Sequence, residues 1–446
     1  MKLKRIYNWI LLALAVGLSG CYNMGEPREN ILKVYNWADY IGEGVLEDFQ
    51  AYYKEQTGKD IKIVYQTFDI NEIMLTKIEK GHEDFDVVCP SEYIIERMLK
   101  KDLLLPIDTV FAKSPNYMKL VAPYIYSQIA QLGTPEKPAN RYAVCYMWGT
   151  EGILYNRKFV TEEEVSSWGC FWNKKYAGKI LMKDAYRDAY GMALLYAHRE
   201  DLKKGNRTVS QLMNDYSPAS MDLVEKYLKL LKPNVAGWEA DFGKEMMTKE
   251  KAWMNMAWSG DAQWAIDEAE AVGVDLAYTV PMEGSNVWYD GWVIPKYAKN
   301  PTAASYFINF LCRPDIALRN MESNGYVSAV AAPEILEACE DSTLEEYSDV
   351  SYFFGPSASK VKVPVTIYPD KSVIDRCAMI RDFGDRTEEV LEIWSRVKGD
   401  NLNGGIIILI LVVAAIMCGL QIRRRWLIHK RSDVHFHRRK HIIRQN

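Results

Sequence analysis

ILKVYNWADYIGEGVLEDFQAYYKEQTGKDIKIVYQTFDINEIMLTKIEKGHEDFDVVCPSEYIIERML, residues 31–99, carries an apolar pattern whose period switches back and forth. Ile31-Leu32-Lys33-Val34-Tyr35 reads as a strand. Val45, Leu46, Phe49, Tyr52 and Tyr53 then recur at helical spacing and stop before Gly58. Ile61-Lys62-Ile63-Val64-Tyr65 alternates as a second strand. Ile70, Ile73, Met74 and Ile78 form a second helical face that ends near Gly81. Phe85-Asp86-Val87-Val88 is a short buried strand, and Ile94 to Leu99 lies in a third helix. The order is βαβαβα with short connections, which predicts an α/β fold with a parallel sheet covered by helices on both faces.

Beyond this stretch, strand-like runs return at 142–148, 152–156, 179–182, 252–258 and 291–295. Helical patterns occupy 189–198, 219–231 and 302–319, the last as one amphipathic helix. No internal repeat or low-complexity run is present. Residues 399–405 (Gly-Asp-Asn-Leu-Asn-Gly-Gly) read as a flexible linker.

The 446 residues suffice for two or three domains at roughly 150 residues each. With 48% hydrophobic and 26% charged residues, the chain is neither disordered, collagenous nor a disulfide scaffold. Its net charge of −4 conceals an uneven distribution: +3 in residues 1–5, +8 in residues 423–446 and −15 between them. An acidic middle argues against a nucleic-acid partner and favours a cationic one.

The two basic ends read as addresses. A basic start, an apolar stretch over 10–16 and small residues thereafter make residues 1–20 a secretory signal peptide. Leu18-Ser19-Gly20-Cys21 resembles the lipobox of bacterial lipoproteins, with Cys21 as the lipidated thiol and 21–30 as the linker behind it. Residues 405–422 hold no charge, and 18 residues at ~1.5 Å each span ~27 Å, close to a hydrocarbon core. Arg423-Arg424-Arg425 follow at once, so the positive-inside rule predicts a transmembrane helix with a cytoplasmic tail over 423–446. The predicted location is the cell envelope, with the chain anchored to the inner membrane and its main part facing the periplasm or exterior. Cys418 falls in the predicted span. The other six cysteines, Cys89, Cys145, Cys170, Cys312, Cys339 and Cys377, form no close CxxC pair, which disfavours a zinc ribbon and leaves disulfide pairing open.

In open α/β sheets ligands bind at the carboxyl ends of strands. Those ends carry Asn36-Trp37-Ala38-Asp39-Tyr40, Pro90-Ser91-Glu92-Tyr93, Asp184 with Arg187-Asp188, and Trp258-Ser259-Gly260-Asp261, while Trp288-Tyr289-Asp290 precedes the 291–295 run. Each offers an acid and three also offer a Trp. Carboxylates supply charge-assisted hydrogen bonds to an ammonium, and aromatic faces attract its charge by ~0.5–2 kcal/mol. An anion receptor would instead present basic loops and helix N-termini. No GxxxxGK, HExxH or GxSxG motif points to an enzyme, although Asp188 and Asp290 with their Trp neighbours leave a carbohydrate-active enzyme as an alternative. A small-cation sensor, reporting through the span and tail, is a further one. No cofactor or metal site is expected.

At these residues the chain resembles the spermidine/putrescine-binding proteins of bacterial ABC transporters. Val34-Tyr35-Asn36-Trp37-Ala38-Asp39-Tyr40-Ile41 is similar to that family's YNW-x-[DE]-Y segment, and Phe85-Asp86-Val87-Val88-Cys89-Pro90-Ser91 to its D-[LV]-V-x-P-S segment. Asn309-Phe310-Leu311-Cys312-Arg313-Pro314-Asp315-Ile316-Ala317 is nearly its NFLLRPDVA. The resemblance covers about residues 31–395. It implies a type 2 periplasmic binding protein fold, two α/β lobes closing on ligand by a hinge, with lobe 1 at 31–143 and 282–325 and lobe 2 at 144–281 and 326–400. It implies a polyamine ligand, ABC permease subunits as partners and no catalytic residues. Trp37, Tyr40, Tyr93, Trp258 and Trp288 become aromatic walls. Asp39, Asp188, Asp261 and Asp290 become amine acceptors, and Ser91 a polar contact. Two departures favour a diamine such as putrescine over spermidine. Ala185 stands where relatives often carry a second acid, and Met379-Ile380-Arg381-Asp382 lacks a Gln found in spermidine binders. Arg381, pointing inward, would disfavour a third positive charge.

Overall fold

The computed structural model describes residues 27–240 and 242–399. The predicted signal, Cys21, the 405–422 span and the basic tail lie outside the described residues. Among the described residues no helix is long and apolar enough to cross a membrane. The chain divides into a unit ending at Thr387 and a second beginning at Glu388, whose described residues are helical and belong to the helix Thr387–Gly399.

The opening stretch folds as its periodicity predicts: β1 (Ile31–Trp37), α1 (Val45–Thr57), β2 (Lys62–Phe68), α2 (Asn71–Glu79), β3 (Val87–Val88) and α3 (Glu92–Lys100). β1 pairs in parallel with β2 on one side and β3 on the other. The α1 face Val45, Phe49, Tyr52 and Tyr53 is buried, and Phe49 meets Phe307 edge-on at 5.1 Å between centroids, a pairing worth ~0.5–1.5 kcal/mol beyond its area.

The remaining strands are β4 (Leu104–Leu105), β5 (Ala143–Asn156), β6 (Ile180–Lys183), β7 (Val235–Glu239), β8 (Met254–Trp258), β9 (Leu276–Thr279), β10 (Ser285–Pro295), β11 (Val327–Ser328) and β12 (Cys377–Ala378). The main path runs β2-β1-β3-β10-β5-β8-β6-β7. β6 lies parallel to both β7 and β8, so a second parallel group mirrors the β1–β3 group. β10 and β5 join the two groups antiparallel to each other. The first half of β5 pairs with β10 and its second half with β8 and β9, so one strand passes from one group to the other.

Three expectations change. The run at 291–295 begins at Ser285, so Trp288-Tyr289-Asp290 lie inside β10 rather than before it. The runs at 142–148 and 152–156 are one strand of 14 residues. Its Gly149 is not a break. A Cβ there would lie 2.7 Å from the Trp288 ring and 2.5 Å from Ser259 Oγ, so glycine permits close approach within a continuous strand. The single helix over 302–319 is two, Pro301–Leu311 and Pro314–Asn324. Pro314 has no N–H to continue the ladder, and it holds Arg313 extended at φ −67°, ψ 135°. Cys89, Cys145, Cys170, Cys312, Cys339 and Cys377 are all free thiols.

Candidate functional site

β10 alternates its side chains, so Asn286, Trp288 and Asp290 share one face. All three are buried. At Asp290 the β10–β5 register shifts, and the carboxylate turns towards the start of α3. Ser91, the N-cap residue of α3, makes no capping bond with its side chain. Its Oγ donates instead to Asp290 Oδ1 at 2.7 Å, and Tyr40 donates to Asp290 Oδ2 at 2.9 Å. Asn71 Nδ2 supports this pair by donating to Ser91 Oγ at 3.0 Å and to the Tyr93 hydroxyl at 2.9 Å. Both carboxylate oxygens therefore accept from neutral hydroxyls, and no cation pairs with Asp290 among the described residues. Burial pushes the Asp290 carboxyl up to about 6, against those two hydrogen bonds.

Asp188 lies in the first turn of α4 (Tyr186–Ala197) and accepts from Asn286 Nδ2 at 2.9 Å. Burial pushes its carboxyl up to about 6 as well, although Asn286, Trp258, Arg187 and Lys183 favour its charged form. One face of β10 thus links two buried carboxylates, Asp290 directly and Asp188 through Asn286.

Aromatic rings gather around that face. Tyr326 stands edge-on to Trp288 at 5.5 Å and to Tyr40 at 5.4 Å. Tyr146 meets Tyr40 at 5.5 Å and donates from its hydroxyl to the Tyr40 carbonyl. Of the other aromatic walls read from sequence, Trp37 packs on Phe68 at 4.5 Å. Tyr93 and Trp258 each already face a protein cation: the Arg187 guanidinium lies 3.9 Å from the Tyr93 centroid, and Lys183 Nζ 4.4 Å from the Trp258 centroid.

The remaining acids diverge. Asp39 is exposed in a turn at φ 50°. Asp261, in the first turn of α5 (Ser259–Ala271), is buried against Lys183, whose Nζ lies 2.6 Å from Oδ2. The Tyr326 hydroxyl donates to its Oδ1 at 2.8 Å. These partners outweigh burial and hold the Asp261 carboxyl below its ordinary range. Arg381 is engaged by the protein itself. It grips Glu96 through Nε at 3.0 Å and Nη2 at 2.9 Å, and reaches the Gln131 carbonyl. Sequence reading passed over Tyr326, Asn286, Asn71 and Lys183, none of which lies in a quoted motif.

Gly260 makes room for Tyr326. A Cβ at Gly260 would sit 2.3 Å from the Tyr326 ring. The Gly260→Ala variant is therefore expected to lose ~1–3 kcal/mol of stability, as overpacked sites do. Urea unfolding measures this, and an unshifted midpoint would show that the ring moves aside freely.

Two parallel groups joined by two long antiparallel strands, with buried acids and rings along one of those strands, define a two-lobed α/β solute-binding protein. The chain belongs to the bacterial extracellular solute-binding proteins, whose family pattern matches residues 48–335. It is 32% identical over 337 residues to the spermidine/putrescine-binding periplasmic protein of Escherichia coli, covering 74% of this chain and 87% of that one. It is 28% identical to the putrescine-binding periplasmic protein PotF of the same organism, covering 74% of this chain and 84% of that one. Among solved structures, the spermidine/putrescine ABC transporter substrate-binding protein PotD of Streptococcus pneumoniae superposes with a TM-score of 0.61 at 29% identity, covering 83% of this chain and 98% of that one. Its relatives are binding proteins rather than enzymes.

Proposed function

We propose that the chain is the receptor of an ABC transporter, capturing a polyamine between two lobes and delivering it to the permease. The observation that carries this reading is the pair Asp188 and Asp290, buried, without ion-pair partners among the described residues and joined by one strand face lined with aromatic rings. A buried carboxylate without a direct ion pair is costly, and an ammonium relieves that cost with a charge-assisted hydrogen bond. Trp288, Tyr40 and Tyr326 offer ring faces and edges to the methylene chain between two amines. The names of the relatives, which bind spermidine or putrescine, support the same ligand class.

In this reading the lobes divide at 31–143 with 282–325 and 144–281 with 326–400, and β5 and β10 carry the hinge. A lipid on Cys21, the apolar segment at 405–422, or both would hold the receptor at the inner membrane on its periplasmic side. Such tethering raises its concentration beside the permease. Calorimetric titration of the purified chain with putrescine, spermidine, an amino acid and a sugar tests the ligand class. Heat of binding is expected with an amine, and binding confined to the amino acid or the sugar would sink the proposal.

A further inference from the structure

Lys183 ends β6, the strand that lies between β7 and β8, and only 1% of its surface is exposed. Each of its three ammonium protons has an acceptor: Asp261 Oδ2 at 2.6 Å, Glu239 Oε1 at 2.9 Å and the Ala240 carbonyl at 3.2 Å. The same nitrogen lies 4.4 Å from the centroid of the Trp258 ring. Two carboxylates, a carbonyl and an indole are what a primary amine of a ligand requires, and here the protein meets that requirement with its own side chain.

We infer that Lys183 is a resident ammonium in the place of a ligand amine, and that it restricts the site to diamines. The inference rests on the polyamine reading above. The sequence offers an amine three buried acids, Asp188, Asp261 and Asp290. The structure withdraws one of them. Both oxygens of Asp261 are engaged, by Lys183 and by Tyr326, and Lys244 Nζ stands a further 3.7 Å from Oδ1. A second ammonium brought to Asp261 or to the Trp258 ring would meet Lys183 in a site that water screens poorly, where like charges repel strongly.

The Tyr93 ring is closed to an added cation in the same way. Arg187, 4% exposed, lies 3.9 Å from its centroid and 4.0 Å from that of Phe383. Two buried carboxylates without a direct ion pair among the described residues remain, Asp188 and Asp290, and they match two ammonium groups. Asp39 is exposed, so a contact there is screened and adds little for a third amine. The preference that the departures at Ala185 and Arg381 suggested thus has a different carrier. Arg381 is held by Glu96, and Lys183 supplies the excluding charge.

The test compares putrescine with spermidine by titration calorimetry in the full chain, in Lys183→Met, and in Lys183→Met/Glu239→Gln. The double variant spares the fold two adjacent uncompensated carboxylates and leaves Asp261 as the one that is freed. The wild type is expected to bind putrescine at least tenfold more tightly than spermidine. In the variants the ratio shifts towards spermidine by tenfold or more. A folded variant that binds both amines with the wild-type ratio overturns the inference. So does a wild type that prefers spermidine, which decides the matter even if neither variant folds. A wild type that binds neither amine fails in a different way, by removing the polyamine reading on which the inference stands.

Discussion

The Asp290→Asn variant is expected to fold and to bind putrescine at least tenfold more weakly than the wild type. The substitution keeps the shape of the side chain and removes its charge. A hydrogen bond to a charged group contributes ~1.5–3 kcal/mol, a factor of ten to a hundred or more in affinity. The amide also presents an NH2 group where the carboxylate accepted from Ser91 or Tyr40. Stability should not follow affinity downwards. Burial penalises the ionised form of Asp290, whose carboxyl sits at about 6 against an ordinary 3.8. Removing the charge relieves that penalty, so the ligand-free variant is expected to unfold at an equal or higher urea concentration at pH 7.5. Calorimetry and urea unfolding together separate the two effects. Wild-type affinity in a folded variant would place the amine elsewhere.

Between pH 7 and pH 5 the affinity for putrescine is expected to fall about a hundredfold, because Asp188 and Asp290 both sit at about 6. An ammonium binds their ionised forms. At pH 7 each is about nine-tenths ionised and at pH 5 about one-tenth, so two independent groups give roughly a factor of ten each. The sign for folding is the reverse of the usual carboxylate case. Between about 4 and 6 the folded chain holds protons that the unfolded chain has released. These two groups therefore stabilise the ligand-free fold at low pH and lose that contribution as pH rises to about 6. Binding at pH 6 should release about one proton, half from each group. Titrations in buffers of different ionisation heat measure that release. An affinity that stays flat from pH 7 to 5 would mean that neither carboxylate meets the ligand's charge.

The acids at strand ends were legible in the sequence because alternating strand and helix periods locate those ends without any knowledge of contacts. Asp188, one turn beyond β6, was singled out in this way, as were Tyr40 and Ser91, whereas Asp290 was read as preceding a strand and lies inside β10. The break at Pro314 was also within reach, since a proline's missing N–H is a local fact, but the apolar spacing on either side masked it. Tyr326 was out of reach. It follows a helix in an unmarked segment, and long-range packing against Gly260, Tyr40 and Trp288 sets it beside Asp261.

The sequence by itself determined the α/β order, the two parallel groups' raw material and a set of candidate acids, because period and composition act over a few neighbouring residues. Which of those acids is free was decided by tertiary structure. Lys183, Glu239 and Asp261 are far apart along the chain and meet because β6 lies between β7 and β8. Asp261 is thereby neutralised, while Asp290, on one face of β10, and Asp188, held to that face through Asn286, receive no such partner among the described residues. The charge of a buried carboxylate depends on what stands within a few ångströms of it, and long-range strand pairing sets those neighbours.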